Sequence, residues 1–460
     1  MNLDLGFIAR SLNQEGENLL DGNLALTGVS IDTRKLESGQ LFAALRGPHF
    51  DGHQFIPQAL QGGARGLLVE EDWSGEASVP VFRVRGVLEA LTHLARKWRT
   101  QVNPTVIAVT GSSGKTTVKE MLALCLGQHF RRVHATQGNL NNHIGLPLTI
   151  LAMPSDCQAL VVEMGMSAAD EITHLASVAS PTIGVVTNVY PAHLAAFSSL
   201  ADIARAKGEL LHALPVDGVA IYPAHRWETP ILATLARPTR HFTFGPAATA
   251  QVAAENMTLC EEGVTFTCRG LGDDKMTVHL GTSGQHMIDN ALAAATAAHA
   301  VYTPMAAIAQ GLALFRLQKG RGQVIHAPQG WRVIDDTYNA NPGSMTAALV
   351  RLGLETGHRR IAVLGDMLEL GETAESLHEQ LATAVIEAGI SRLFATGKLM
   401  RHLADRLSGH PGVQVDHRLD AGDWIGVLPG LCQPGDRILV KGSRGMKMER
   451  IVEDLCQHAV

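Results

Sequence analysis

Residues 106–117, VIAVTGSSGKTT, constrain the fold more than any other stretch. Val106 to Val109 are apolar and partly β-branched, which reads as a strand buried on both faces. The ten residues after the loop, VKEMLALCLG, carry apolar side chains at helical spacing. A strand that turns tightly into a helix leaves backbone N–H groups unpaired at the positive end of the helix dipole, a ready seat for phosphate. Gly111 and Gly114 let the backbone approach an anion, Ser112, Ser113 and Thr117 complete the turn, Lys115 supplies a point charge for β/γ-phosphates, and Thr116 offers a hydroxyl suited to Mg²⁺. Val109 stands where the commoner G-x-x-x-x-G-K-[ST] pattern has its first glycine, so the loop is the shorter G-x-x-G-K-T type.

A chain of 460 residues is too long for one core. Residues 1–86 alternate short strand-like runs with turns. Residues 87–322 open on the amphipathic LEALTHLARKWR and then show buried-strand runs at 106–110, 159–164 and 182–189 with helical segments between. Residues 323–460 restart that rhythm with WRVIDD, RRIAVLGDM, SRLFATG and DRILVKGSR. Apolar strands alternating with helices imply parallel sheets covered on both faces. The fold class expected is α/β with three domains: a small α/β domain, a central P-loop ATPase domain with a mainly parallel sheet, and a C-terminal Rossmann-like domain. Gly320-Arg321-Gly322 reads as linker and hinge.

Composition narrows the function classes. A net charge of −6 argues against generic nucleic-acid binding, which favours a basic face. No N-terminal basic-then-apolar pattern and no uninterrupted run of about 18 apolar residues is found, so neither a signal peptide nor a membrane span is expected. The six cysteines are scattered without a CxxC pair, as in reduced thiols of a cytoplasmic protein. Aromatic residues are only 5% of the chain, so the core must be aliphatic and alanine-rich.

Glu163 ends the strand ALVVEMG, and strand carboxyl ends are where open α/β sheets place ligands. It would complete an oxygen site for Mg²⁺ with Thr116, or be a solvated strand-end carboxylate. His193 and Lys207 follow the next strand; taken alone, they read as a structural histidine and an ordinary helix-surface lysine.

TGSSGKTT, TQGNLNNHIGLP (136–147), VEMGM (162–166), AHL (192–194) and KGEL (207–210) stand in the order found in the Mur ligases of peptidoglycan synthesis, and the chain resembles that family over essentially its whole length. GQHMIDNALAA (284–294) is similar to the family's adenine segment, with Met287 and Asp289 where related sequences often read HNxxN. DDTYNANPGSM (335–345), VLGDMLELG (363–371), LVKGSR (439–444) and the N-terminal run at 28–56 resemble the branch that joins D-alanyl-D-alanine to UDP-N-acetylmuramoyl-tripeptide.

The resemblance implies ATP and two Mg²⁺ ions, one at Thr116 and Glu163, the other at His193 and a carbamylated Lys207. It implies adenine contact by Asn290, ribose contact by Asp336 and an interdomain role for Arg321. Ser30, Asp32, Thr33, Arg34, Asp51, Gly52 and His53 would hold the UDP group, and Thr136, Asn139 and Asn142 would line the path of sugar and peptide. Asn339 and Asn341 would serve the amine substrate, and Lys441 and Arg444 the tripeptide's carboxylates. Lys115, Glu163, His193 and Lys207 are the catalytic set so implied, in a monomeric enzyme. Rival expectations are the same fold with another amine, as in a folate polyglutamate synthase, and a nucleotide-regulated binding or motor protein.

Overall fold

A computed structural model describes residues 3–14, 19, 21, 23–191, 196–224, 226–236, 239–246, 248–260, 263–272, 275–355 and 359–457. The chain builds three sheets in sequence. The first has four parallel strands in order β1 (Val29–Ser30), β2 (Leu41–Ala43), β3 (Gly66–Glu70) and β4 (Val81–Val84). The second holds β5 (Thr105–Thr110), β6 (Val133–Ala135), β7 (Ala159–Glu163), β8 (Ile183–Val186), β9 (Val219–Pro223), β10 (Arg240–Gly245), β11 (Val252–Cys260), β12 (Gly263–Arg269) and β13 (Met276–Leu280). Their order is β13-β12-β11-β10-β9-β8-β5-β7-β6. The third holds β14 (Gln323–His326), β15 (Arg332–Asp336), β16 (Arg360–Gly365), β17 (Arg392–Thr396), β18 (Gln414–Arg418) and β19 (Arg437–Lys441), in order β14-β15-β19-β16-β17-β18.

β5 is the strand read from VIAVT, and its parallel pairing with both β7 and β8 explains why it is apolar throughout. The helix Lys115–Gly127 leaves its end at the point where the strand order turns back, the usual ligand crevice of an open α/β sheet. β8 stops at Val186, short of the apolar run to Val189, because Thr187 and Asn188 leave the ladder to bind the loop. The antiparallel extension β11–β13 was not distinguished in the sequence; β13 alternates buried and exposed residues as a one-sided sheet does.

The alanine-rich core allows backbone-close helix packing. The helices Lys115–Gly127, Gln285–Ala300 and Met305–Leu314 pack together, and a Cβ on Gly311 would fall 2.4 Å from Cys125 Cα. On the other face of the second sheet, Val106, Ala108, Leu160 and Val162 share one core with Leu5, Phe7, Leu68 and Phe82 of the first lobe. The first two lobes are therefore one packed body. The third sheet has its own two cores, drawn from residues 327–455 alone. Among the described residues no helix is long and apolar enough to cross a membrane.

Trp98 joins the first two lobes. It is 1% exposed, donates from Nε1 to the Met153 carbonyl at 2.9 Å and packs edge-on against Phe7. Trp98→Ala should cost about 3–5 kcal/mol. Urea unfolding should show that loss in the transition of the first two lobes, with that of the third lobe unmoved.

Candidate active site

The phosphate loop is held rigid by groups at the end of β8. Ser113 N–H donates to Asn188 Oδ1 at 2.9 Å, while its carbonyl accepts from Asn188 Nδ2 at 3.0 Å and Thr187 Oγ1 at 2.6 Å. Ser112 Oγ donates to the Tyr190 carbonyl and accepts from the Tyr190 N–H, at 3.0 and 2.9 Å. Two glycines are required by space as well as by φ. A Cβ on Gly111 (φ +147°) would lie 1.9 Å from Thr187 Oγ1, and one on Gly114 (φ +79°) 2.5 Å from Asn290 Oδ1. Asn290, buried on the helix Gln285–Ala300, thus abuts the loop itself. Thr117 is buried in the first turn behind it.

Lys115 folds back to donate from Nζ to the Gly111 carbonyl at 2.8 Å. Burial pulls its ammonium pKa below the usual range, the Glu163 carboxylate pulls it up, and Arg321 pulls it down. Thr116 Oγ1 donates to Glu163 Oε2 at 2.7 Å, and Asn141 Nδ2 donates to Glu163 Oε1 at 2.8 Å. Glu163 is 3% exposed, so it is not a solvated strand end. A hydroxyl and a carboxylate at this point are the hard oxygen donors that Mg²⁺ takes beside phosphate oxygens. No cluster of three or more His, Cys, Asp or Glu side chains able to hold a metal occurs among the described residues.

Lys207, on the helix Leu200–His212, is 2% exposed, which removes its reading as a surface lysine. Its ammonium has no hydrogen-bond or ion-pair partner among the described residues. Burial, and then the neighbouring charge of Lys115, hold its pKa well below the usual lysine value. His193 lies outside the described residues.

These groups form one wall of a cavity of about 740 Å³; the carboxyl ends of β15 and β19 form the other. Asp336 ends β15 and pairs with Lys441 Nζ at 2.7 Å; Lys441 ends β19, and its Nζ also donates to the Asn339 carbonyl at 2.9 Å. Lys441 is therefore a buried, paired cation and not part of a solvated loop. Asn341 caps the helix Pro342–Gly353 with Oδ1 and donates from Nδ2 to Ser113 Oγ at 2.9 Å, tying the third lobe to the phosphate loop. Asn339 is exposed and lines the cavity. Arg321 lines it too, its guanidinium 3.8 Å above the Tyr338 ring.

The structure leaves other sequence candidates elsewhere. Arg444 is 66% exposed, pairs with Glu449 at 3.6 Å and is not on the cavity wall. Thr136 is 1% exposed; its hydroxyl accepts from the Glu163 N–H and its carbonyl from Lys119, so it braces Glu163 and lines nothing. Asn139 is exposed off the cavity, while Asn142 lines it and caps residues 144 and 145 with Oδ1. In the first lobe, Ser30, Asp32, Thr33 and Arg34 cluster after β1. Arg34 grips Asp32 at 2.9 and 2.8 Å and holds that carboxyl down to about 2, and Ser30 Oγ donates to the Asp32 carbonyl. His53 is buried: Nδ1 meets Asp51 Oδ1 at 2.6 Å and Nε2 accepts from the Glu70 N–H at 3.0 Å. Gly52 has no room for a Cβ, which would fall 2.7 Å from the Leu45 carbonyl oxygen. None of these seven residues lines the cavity.

Several cavity residues were not singled out in the sequence. Asn141 sits within the quoted TQGNLNNHIGLP run, but only contact reveals that it, rather than its neighbours, holds Glu163. Arg226 donates to Tyr190 Oη at 3.0 Å and pairs with Asp289 at 3.2 Å. His286 faces Arg351 and Lys441, and burial with those charges pushes its pKa down to about 4. Asn141 and His286 lie inside quoted segments that do not distinguish them from their neighbours, and no local pattern marks Arg226.

A phosphate loop facing the strand ends of another α/β lobe across a cavity defines a nucleotide-dependent enzyme. Comparison makes the class specific. Residues 109–298 match the Mur ligase middle domain, 320–444 the Mur ligase glutamate ligase domain, and 25–99 the catalytic domain of the Mur ligase family. The chain belongs to the Mur ligase family. It is 39% identical over 438 residues, 94% of this chain and 93% of the relative, to the UDP-N-acetylmuramoyl-tripeptide--D-alanyl-D-alanine ligase of Bacillus subtilis. It matches the crystal structure of MurF from Acinetobacter baumannii with a TM-score of 0.89 at 30% identity, covering 100% of this chain and 99% of that one. It matches the MurF ligase of Thermotoga maritima in complex with ADP with a TM-score of 0.80 at 28% identity, covering 93% and 96%.

Gly111→Ala should strain the loop by about 1–3 kcal/mol at a positive φ and push Thr187 Oγ1 off the Ser113 carbonyl. Calorimetric titration with ADP and Mg²⁺ should show affinity falling roughly 5- to 150-fold.

Proposed function

We propose that this chain is an ATP-dependent ligase joining D-alanyl-D-alanine to UDP-N-acetylmuramoyl-tripeptide, the last cytoplasmic peptide addition to the peptidoglycan precursor. The observation that carries the reading is the 39% identity to a ligase of that name over 94% of this chain. The cavity supports it, because the phosphate loop and the strand ends of the third lobe open into the same space.

The chemistry must make a carboxylate electrophilic. An oxygen of the tripeptide's terminal carboxylate attacks the γ-phosphorus of ATP and ADP leaves. The amine of D-alanyl-D-alanine then attacks the acyl carbon of the acyl phosphate and inorganic phosphate leaves. Bringing two anions together is the difficult part: at about 4 Å like charges repel by roughly 1 kcal/mol even in water, and more near a protein surface. Lys115 and the N–H groups at the start of its helix, held in place by the loop that Asn188 and Thr187 fix, offset that repulsion without reorganising. Arg321 adds a third-lobe cation on the cavity wall. Mg²⁺ ions, one held by Thr116 and Glu163 and one by His193 and a carbamylated Lys207, would neutralise phosphate charge. Asn290 and Asp336 are suited to the adenosine, Asn339 and Asn341 to the amine substrate, and Lys441 to a carboxylate, while the cluster after β1 and β2 would take the UDP group.

Lys207 suits carbamylation physically. Carbon dioxide adds only to a neutral amine, and burial beside Lys115 favours the neutral form. The product is an anion, which turns repulsion from Lys115 into attraction and supplies the oxygen that a hard cation takes.

The test is a product assay with UDP-N-acetylmuramoyl-tripeptide, ATP, Mg²⁺ and D-alanyl-D-alanine, in parallel with meso-diaminopimelate and L-glutamate and their matching acids. Amide equal to the ADP released, with the dipeptide alone, is the expected result; hydrolysis of ATP without amide would sink the reading. Lys115→Ala should lower turnover by at least about 10²-fold, the scale of losing one electrostatic donor. Lys207→Ala should be nearly inactive and recover in part with a short-chain carboxylate, measured as initial rate against added acid.

A further inference from the structure

The Gly320-Arg321-Gly322 segment, which reads as a free hinge, is bound to the third lobe at every polar backbone group of its two glycines. Gly320 N–H donates to Asp335 Oδ2 at 3.0 Å, and the Gly320 carbonyl accepts from the Tyr338 N–H at 2.9 Å. Gly322 N–H donates to the Asp335 carbonyl at 2.6 Å, and the Gly322 carbonyl accepts from Arg351 at 2.7 Å. Both glycines adopt positive φ, +79° and +86°. The bend between them throws the Arg321 side chain into the cavity, where Tyr338 stacks beneath it.

Asp335 is the keystone of this clamp. It is 0% exposed, and its second oxygen accepts from Thr337 Oγ1 at 2.6 Å. No cation pairs with it among the described residues, so backbone and hydroxyl donors alone hold a buried carboxylate. A carboxylate buried without a counter-charge is costly, and an apolar residue would fill a core position more cheaply.

We propose that Asp335 is a positioning residue: it fastens the linker to the third lobe, so that Arg321 travels with that lobe and reaches the phosphates only when the lobes are together. The inference rests on the ligase reading for what Arg321 meets, but the clamp does not. Cores agree with the division. Phe315 and Leu317 pack into the second lobe, whereas the backbones of Gly320 and Gly322 are bound to the third. Gln318 and Lys319 between them are exposed, but Lys319 Nζ pairs with Glu453 of the third lobe at 3.2 Å and the Gln318 carbonyl accepts from the Arg321 N–H at 3.1 Å, so the pivot falls before Gln318, next to Leu317.

Two measurements test it on the full chain. Asp335→Asn presents an amide N–H₂ to one of the two donors and should open the clamp. Limited trypsin digestion should then cut Arg321–Gly322 at least tenfold faster than in the parent, with other cuts in the third lobe unchanged. Equal acceleration throughout that lobe, or none at Arg321, overturns the clamp. In the ligase assay Asp335→Asn should lower kcat at least tenfold with KM for the UDP-linked substrate within twofold, yet change kcat less than twofold in an Arg321→Ala background. Equal losses in both backgrounds overturn action through Arg321. Thr337→Val, which removes only the hydroxyl donor, should move both readouts the same way and serves if Asp335→Asn does not fold. A parent that forms no amide at all fails the ligase reading, and the trypsin result still decides the clamp.

Discussion

Ser113 is the point on which the rest of the molecule bears. Its peptide N–H and carbonyl are both taken by the side-chain amide of Asn188, its carbonyl also by Thr187, and its hydroxyl by Asn341 from the third lobe. Loop N–H groups can stabilise phosphate only if they need not be ordered when it arrives. The end of β8 provides that order within the second lobe, and Asn341 makes the seating of the third lobe depend on the same residue. Tyr190 repeats the arrangement. Its backbone holds Ser112, and its ring lies where a side chain on Gly343, in the first turn of the helix Pro342–Gly353, would be.

The division of the cores turns this local contact into a mechanical one. The first two lobes share apolar packing through Trp98 and the helix that bears it, so they cannot separate without exposing core. The third lobe keeps its own cores and meets the phosphate loop through polar contacts such as Asn341–Ser113. Polar contacts exchange with water at small net cost, so this is the seam along which the molecule can open. A reaction that passes through a water-sensitive acyl phosphate needs such a seam, open to admit substrates and closed during chemistry.

Buried charge explains much of the cavity's chemistry. Lys115 lies close enough to Lys207 to depress its ionisation, while Glu163 is the anion near Lys115 itself. On the facing wall, Lys441 and Asp336 satisfy one another. Among the described residues no anion stands beside Lys207, the position at which the proposed carbamate would bring one.

The sequence by itself determined the phosphate loop, its strand and helix, the three-part α/β order and the residues at strand ends. Each of these is written in local periodicity, glycine placement and loop chemistry. Lys115, Thr116 and Glu163 were legible for that reason, Arg321, Asp336 and Asn341 through the family resemblance, and all six line one cavity. Only the tertiary structure decided which asparagine of the 136–147 run holds Glu163, that Thr136 braces from behind, that Lys207 is buried, and that the linker glycines are fastened. It also revealed Arg226, which no motif marks, and the role of His286, which its segment does not single out. The physical reason is the same in each case: burial and hydrogen-bond partners are set by elements distant in the chain, and a residue's own neighbours in sequence carry no record of them.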